Sequence, residues 1–502
     1  MCFAVGSCIN TGKGIGLGMT AVEENQICFV CLSDLHLGDE DSILNSKNAN
    51  GLDASDVMRN LARCLESLLA GTASRKDGRP RPTLILNGDI LELALGKFEL
   101  AAMMFERFMG LIMKNKEELF DDEIIFIPGN HDHHIWETAR ETQYEDYIRR
   151  KNLKVLPAPW HRTSMIFNRY PIYSTFLMSL LQRHTVMHDK LFSPKLKIQI
   201  SYPNLAIPSE DQKSCVIIHH GQFTERPYYL ISDLNTTLTG GKFPENIDNL
   251  EEENFAWIDF FWSTLGRSGQ AGSTIRSIYE NMKNPTLIVR FLDKISVNLA
   301  KKFDVSWLPG TWVEEKALKE VFHISLPLVT SLLGERNRRD TSADGDDLMN
   351  QEIKSGLNQV LRLSWPLMKD DLPKSISDIT FVYGHTHKPL ERVVDLAEIE
   401  TGISKSIALY NTGGWIVDQT EANANFGASI VLMDRNLNVV SLQVYQEGGL
   451  KEVLIRSTKK DSNFYEYVKE KIDESQNCWN ELLASAKKEY ETKVNSLNKR
   501  LD

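Results

Sequence analysis

The sequence predicts an α/β fold with a partly parallel sheet, and three observations predict it. The short β-branched runs "TLILNGD", "EIIFIPGNHD", "CVIIHHG" and "ITFVYGHTH" each have the length and composition of a buried strand. Between the first of them lie apolar residues at helical spacing: Val57, Leu61, Leu65 and Leu68, then Phe98, Ala101, Phe105 and Phe108. Strand, helix and strand in succession imply parallel pairing. Every run also closes on polar residues at its carboxyl end, where an open α/β sheet holds its ligands.

Residues 1–26 read as a flexible lead-in. Their run "NTGKGIGLG" has no Ser or Thr after Lys13, and its glycines alternate, so Gly12 to Gly18 are expected to form a loop rather than a phosphate cradle. From Ile27, "ICFVCL" runs straight into Asp34 and His36. A carboxylate and an imidazole are costly to bury, so this strand end asks for something positive. Cys28 and Cys31 spell C-x-x-C, but residues three apart on a strand face opposite sides, so they read as core-filling thiols.

The body is expected to run over 27–461, interrupted by two mainly helical insertions at about 133–213 and 223–378. Both are too long for simple loops. The second carries Trp257, Trp262, Trp307, Trp312 and Trp365 of nine tryptophans, enough for a core of its own as a cap over the rim. Within it "ERNRRDTSADGDD" (Glu335 to Asp347) reads as a solvated loop. "IALYNTGGW", "ASIVLMD" and "VVSLQVY" are expected to complete a second sheet. Residues 462–502 read as an amphipathic helix with Trp479, Leu483, Ala486, Tyr490, Val494 and Leu497 on one stripe.

Composition narrows the class. With 42% hydrophobic and 25% charged residues the 502-residue chain is an ordinary globular one. A net charge of −11 supplies no footprint for non-specific binding of nucleic acid, leaving only a local basic groove for it. No run reaches the ~18 apolar residues of a membrane span, and no basic region precedes an apolar one at the N-terminus. Seven scattered cysteines do not make a disulfide framework. A cytoplasmic protein is the expectation.

Eight of twelve histidines, His36, His131, His133, His134, His219, His220, His385 and His387, fall in the strand-end clusters. The blocks Asp34-Leu35-His36, Gly88-Asp89, Gly129-Asn130-His131-Asp132, His220-Gly221 and Gly384-His385-Thr386-His387 resemble those of the calcineurin-like metallophosphoesterases. The resemblance implies a two-sheet β-sandwich flanked by helices. It also implies two divalent ions, manganese first among them, with iron, zinc or nickel as alternatives; mixed imidazole and carboxylate ligands suit these metals rather than calcium. By resemblance Asp34, His36 and His387 hold one ion, Asn130, His220 and His385 the other, and Asp89 bridges. A metal-bound hydroxide then attacks a phosphate mono- or diester. His131 matches the family's proton donor, with Asp132 to orient it. His219 is expected to pack, His133 and His134 to touch substrate or lie on the surface, and Asp39 and Glu92 to support from behind. Arg226 is a candidate clamp for a phosphate oxygen or one half of a surface ion pair.

Substrate is less legible. "FAWIDFFW" (Phe255 to Trp262) reads as cap core or as a groove for an apolar moiety beside the phosphate. "SDLHLG" and "GDILEL" resemble the UDP-diacylglucosamine pyrophosphatases, but His131 stands where those enzymes usually carry Arg. "SDLHLG" also resembles the superfamily's DNA-repair nucleases, against which the acidic charge speaks. A metal-binding scaffold without catalysis is the remaining reading, and the full set of blocks argues against it.

Overall fold

A computed structural model describes residues 26–48, 51–70, 81–113, 119–150, 154–188, 192, 195–264, 351–395 and 406–501. The Gly-rich run at 12–18, Trp307, Trp312 and residues 335–347 lie outside the described residues.

The chain opens with β1 (Phe29–Leu32), a hairpin of β2 (Asn45–Asn48) and β3 (Gly51–Ala54), and α1 (Asp56–Leu69). Ser55 caps α1 by accepting the Met58 N–H, and the helix buries Val57, Leu61, Leu65 and Leu68 as their spacing requires. Next come β4 (Thr83–Asn87), α2 (Phe98–Ile112), β5 (Glu123–Ile127) and α3 (His133–Arg150). They are followed by β6 (Ile172–Tyr173), α4 (Thr175–His188), β7 (Lys197–Ile200), β8 (Asn204–Pro208) and β9 (Ser214–His219). Beyond two short 3₁₀ turns lie α5 (Leu230–Thr239), α6 (Ile247–Ile258) and α7 (Gln351–Met368). The chain continues through β10 (Asp378–Tyr383), β11 (Leu390–Asp395), β12 (Ser406–Asn411), β13 (Gly427–Met433), β14 (Val439–Gln446) and β15 (Leu454–Arg456). It ends on α8 (Asn463–Glu474) and α9 (Gln476–Leu501).

The strands form two large sheets, ordered β15-β14-β13-β1-β4-β5-β7-β6 and β11-β12-β10-β9-β8. β1, β4, β5 and β7 are parallel neighbours in the first, and β9, β10 and β12 in the second. Phe29, Ile85, Ile125 and Val431 from one sheet pack with Leu205, Val216, Val382 and Tyr410 from the other. Val30, Leu32, Leu84 and Leu86 face the helices instead. Strand alternation therefore buries both faces of the central strands, which is why they are apolar at nearly every position. The expected α/β, two-sheet architecture flanked by helices is the observed one.

Four expectations need correction. Residues 133–213 are not simply a helical insertion: they supply α3 and α4, but also β6 and β7 to one sheet and β8 to the other. Of the three late strands only β12 joins the second sheet, because β13 pairs antiparallel with β1 and carries β14 with it. The tail is two helices, broken at Ser475. Cys28 precedes β1, so strand alternation does not govern it, and both Cys28 and Cys31 pack toward the core between the sheets. Among the described residues no helix is long and apolar enough to cross a membrane.

Candidate metal centre

β1, β4, β5, β9 and β10 all end at one rim, and the residue types that follow them meet there. Asp34, His36 and His387 offer ligand atoms that lie within 4.8 Å of one another, and so do Asp89, His220 and His385; all six are buried. The two groups touch, since His385 N donates to Asp34 Oδ1 at 3.0 Å; beside them, His131 N donates to Asp89 Oδ1 at 2.8 Å. The backbone is strained to achieve this. Asp34, His36, Asp89, His385 and His387 have φ between 45° and 68°, a left-handed region that non-glycine residues seldom adopt. Gly88, at φ 76°, has no such alternative, because a Cβ there would strike the His220 ring.

Hydrogen bonds on the outer nitrogens fix the direction of the His36, His387 and His220 rings. His36 Nδ1 lies 2.9 Å from Glu92 Oε2, and His387 Nδ1 lies 2.8 Å from Asp418 Oδ2. A neutral imidazole that donates from Nδ1 presents a lone pair at Nε2, and the two Nε2 atoms face each other at 3.2 Å. His220 Nδ1 is 3.1 Å from the Asn87 carbonyl, which turns its Nε2 toward Asp89 Oδ2 at 3.1 Å and Asn130 Oδ1 at 3.2 Å. Acceptors thus converge on acceptors, an arrangement that is stable only with a proton or a cation between them. Burial opposes charge on His220, yet Asp89 and Asp34 outweigh it and push its pKa up to about 9. Burial likewise opposes ionisation of Asp89, and the neighbouring His220 and His131 still hold it well below the usual carboxylate range. The donor set therefore fits divalent cations that accept nitrogen and oxygen together.

His131 stands beside this group, its ring 5.0 Å from that of His36. Its Nδ1 meets Glu92, with the two carboxylate oxygens at 3.0 and 2.8 Å, and its buried Nε2 makes no hydrogen bond. One carboxylate, Glu92, therefore holds both His36 and His131. Asp132 does not take the orienting role expected of it. Its oxygens accept the backbone N–H groups of Gly129, Asp89, Ile90 and Leu91, so it braces the two loops that carry Asp89 and Asn130. Burial first, and then the Asp89 charge, push its pKa up to about 6. The sequence hid this because a residue's neighbour along a tight turn need not be its neighbour in space.

Other expectations resolve individually. Arg226 is exposed and lies 3.4 Å from Asp233, the surface ion pair that is the second of its two readings. His219 packs against Phe223 and Phe381, accepts the Gly221 N–H at 2.8 Å, and is held near a pKa of 3 by burial first and then by His220 and His385. Asp39 accepts the Asp41 N–H and shapes the loop after His36. His133 is buried against Glu251 at 2.8 Å, whose other oxygen accepts from Tyr202 at 2.9 Å; His134 lies 3.1 Å from Asp259. Both histidines thus grip the insertion that begins after Phe223. "FAWIDFFW" is not one regular helix: α6 passes at Asp259 into a π-helical turn, Asp259–Thr264. The turn brings the Trp262 ring 6.1 Å from that of His131, and Ser263 Oγ donates to Asn130 O at 2.8 Å. Sequence reasoning missed Asp418 behind His387, and Glu225, whose Oε2 is 3.3 Å from His385 Nε2. No local signal announces either.

A family model described as calcineurin-like phosphoesterase matches residues 28–242. No curated protein matches the chain significantly. The matched stretch contains Asp34, His36, Asp89, Asn130, His131 and His220. His385 and His387 lie beyond it, delivered to the same rim by the parallel pairing of β10 with β9. The strand-end blocks and the convergent acceptors agree with this match: residues 28–242 are similar to a calcineurin-like phosphoesterase domain.

Proposed function

We propose that this chain hydrolyses a phosphate mono- or diester with two divalent transition-metal ions held at the rim, manganese being the first to test. The observation that carries the reading is the meeting of lone pairs: His36 Nε2 on His387 Nε2, and His220 Nε2 on Asp89 and Asn130. Asp34, His36 and His387 would hold one ion and Asn130, His220 and His385 the other, and Asp89 would serve both. When bound, the ions neutralise the phosphate's charge and make a water molecule nucleophilic near neutral pH. The protein's own part is proton management. Glu92 holds His131 by Nδ1, leaving Nε2 available to protonate the departing oxygen. Arg226, paired with Asp233, has no role in this reading.

Metal analysis and a hydrolysis screen test it together. At saturating Mn²⁺ the protein should carry close to two ions per chain, and Asp89→Ala should lose most of both. p-Nitrophenyl phosphate, its bis ester, cyclic nucleotides, nucleotide-sugar lipids and single-stranded DNA would sort monoesterase, diesterase, pyrophosphatase and nuclease activity. One ion or none at saturation defeats the binuclear reading.

A further inference from the structure

Cys64 and Cys478 stand 414 positions apart in the chain, yet their Sγ atoms are 2.6 Å apart. Cys64 lies on the buried side of α1 and Cys478 in the first turn of α9. The helices run antiparallel: Asn60 donates to Glu481 O and Ser485 Oγ, Arg63 pairs with Glu481 at 2.9 Å, and Cys64 follows opposite Cys478. The two sulfurs meet because this register sets them opposite each other, with ordinary hydrogen bonds and an ion pair on either side.

Position gives the pair a consequence. Farther along α9, Lys493 Nζ donates to the carbonyls of Glu40 and Asn45, each at 2.7 Å, and Arg500 pairs with Asp41. Asn45 in turn donates to the carbonyls of His36 and Asp39. The helix that begins at the cysteines therefore ends by holding the loop that follows His36.

We propose that Cys64 and Cys478 are a modification site: a thiol pair that small-molecule disulfides such as oxidised glutathione convert to an intramolecular disulfide, stapling α9 to α1. Cys478, the half-buried partner, is the sulfur a reagent reaches first. Its thiolate attacks one sulfur of oxidised glutathione, forming a mixed disulfide and releasing one glutathione thiolate. Cys64 loses its proton to solvent and attacks the Cys478 sulfur, releasing the second glutathione. Two protein thiols are oxidised, one small disulfide is reduced to two thiols, and no atom is lost. Burial first, and then Cys478 beside it, push the Cys64 thiol up, so the second step is the slow one.

The test uses the full chain in a series of reduced-to-oxidised glutathione ratios, quenched with acid, alkylated and mapped by mass spectrometry. A peptide pair linked through Cys64 and Cys478 should accumulate to near completion and revert on reduction. The oxidised chain should melt several degrees higher and resist proteolysis within 462–501, because cross-linking removes unfolded-state freedom. Cys478→Ser should lose the linked peptide and the shift in melting temperature together, and Cys64→Ser should trap the mixed disulfide on Cys478. The proposal is overturned if wild-type chain stops at glutathione on Cys478 with Cys64 still free. An equal gain in melting temperature for wild type and Cys478→Ser on oxidation also overturns it. Neither result depends on whether the rim hydrolyses a phosphate ester.

Discussion

Glu92 is the residue on which two functions rest. It takes the outer nitrogens of His36 and His131 at once, and those two imidazoles hold its carboxyl below the ordinary range although burial opposes this. The two histidines should nevertheless separate on mutation. His131→Ala should keep both metals and lose 10²–10⁴-fold in rate on esters with poor leaving groups, the usual worth of a general acid. On p-nitrophenyl esters, whose leaving group needs little protonation, the loss should be much smaller. Glu92→Gln should show the same leaving-group dependence and also bind metal roughly 10–100-fold more weakly, as loss of a ligand's supporting carboxylate typically does. Metal titration beside rates on the two ester classes checks both. Equal loss on both classes for His131→Ala would refute the proton-donor assignment.

Helix α3 and the insertion helix α6 are joined by a buried polar contact. Burial opposes charge on His133, but Glu251 and Asp259 outweigh it and push its pKa up to about 10. The sign follows from linkage. A histidine whose folded pKa lies above its unfolded value of about 6.5 stabilises the fold fully below that pH, and the contribution disappears as pH rises through about 10. Urea melts of wild type should therefore lose on the order of a few kcal/mol between pH 6.5 and 10. His133→Gln should flatten that part of the profile without shifting activity on p-nitrophenyl phosphate at low pH. If the variant and wild type lose stability in parallel, the contact is not what titrates. The same element logic explains the late strands: β13 is apolar on both faces and joins the first sheet because β1 has an open edge beside it.

At the scale of the molecule, the tail is structural rather than appended. Trp479, Leu483, Ala486, Tyr490 and Leu497 are buried, as their helical stripe anticipates, and α9 reaches back to the loop after His36. Lys493 is the critical point: a buried ammonium donating to two carbonyls, with Glu489 at 3.5 Å. Lys493→Met keeps the aliphatic length and removes the donors. It should cost about 1.5–3 kcal/mol, the worth of hydrogen bonds to a charged group. It should also weaken metal binding at Asp34, His36 and His387 more than at Asp89, His220 and His385. Thermal melts and stepwise metal titration check the pair of effects; a destabilised variant that binds both ions as wild type does would show that the tail supports the fold alone.

The five strand-end blocks were legible in the sequence because each is local. A run that must be buried on both faces is apolar, the turn after it is short, and the ligand types concentrate there. The helices at Val57 to Leu68 and Phe98 to Phe108 were legible for the same reason, since periodicity is a property of one segment. What the sequence could not decide was every pairing made across distance. Glu92 rather than Asp132 at His131, Asp418 behind His387, Glu251 on His133 and Cys64 against Cys478 all depend on how sheets and helices dock. Side-chain packing at those contacts is set by three-dimensional complementarity, and no periodicity along one segment encodes it. The sequence by itself determined which chemistry the rim can carry; the tertiary structure decided which carboxylate or carbonyl aims His36, His131, His387 and His220, because aim is a matter of ångströms between segments 31 to 133 residues apart.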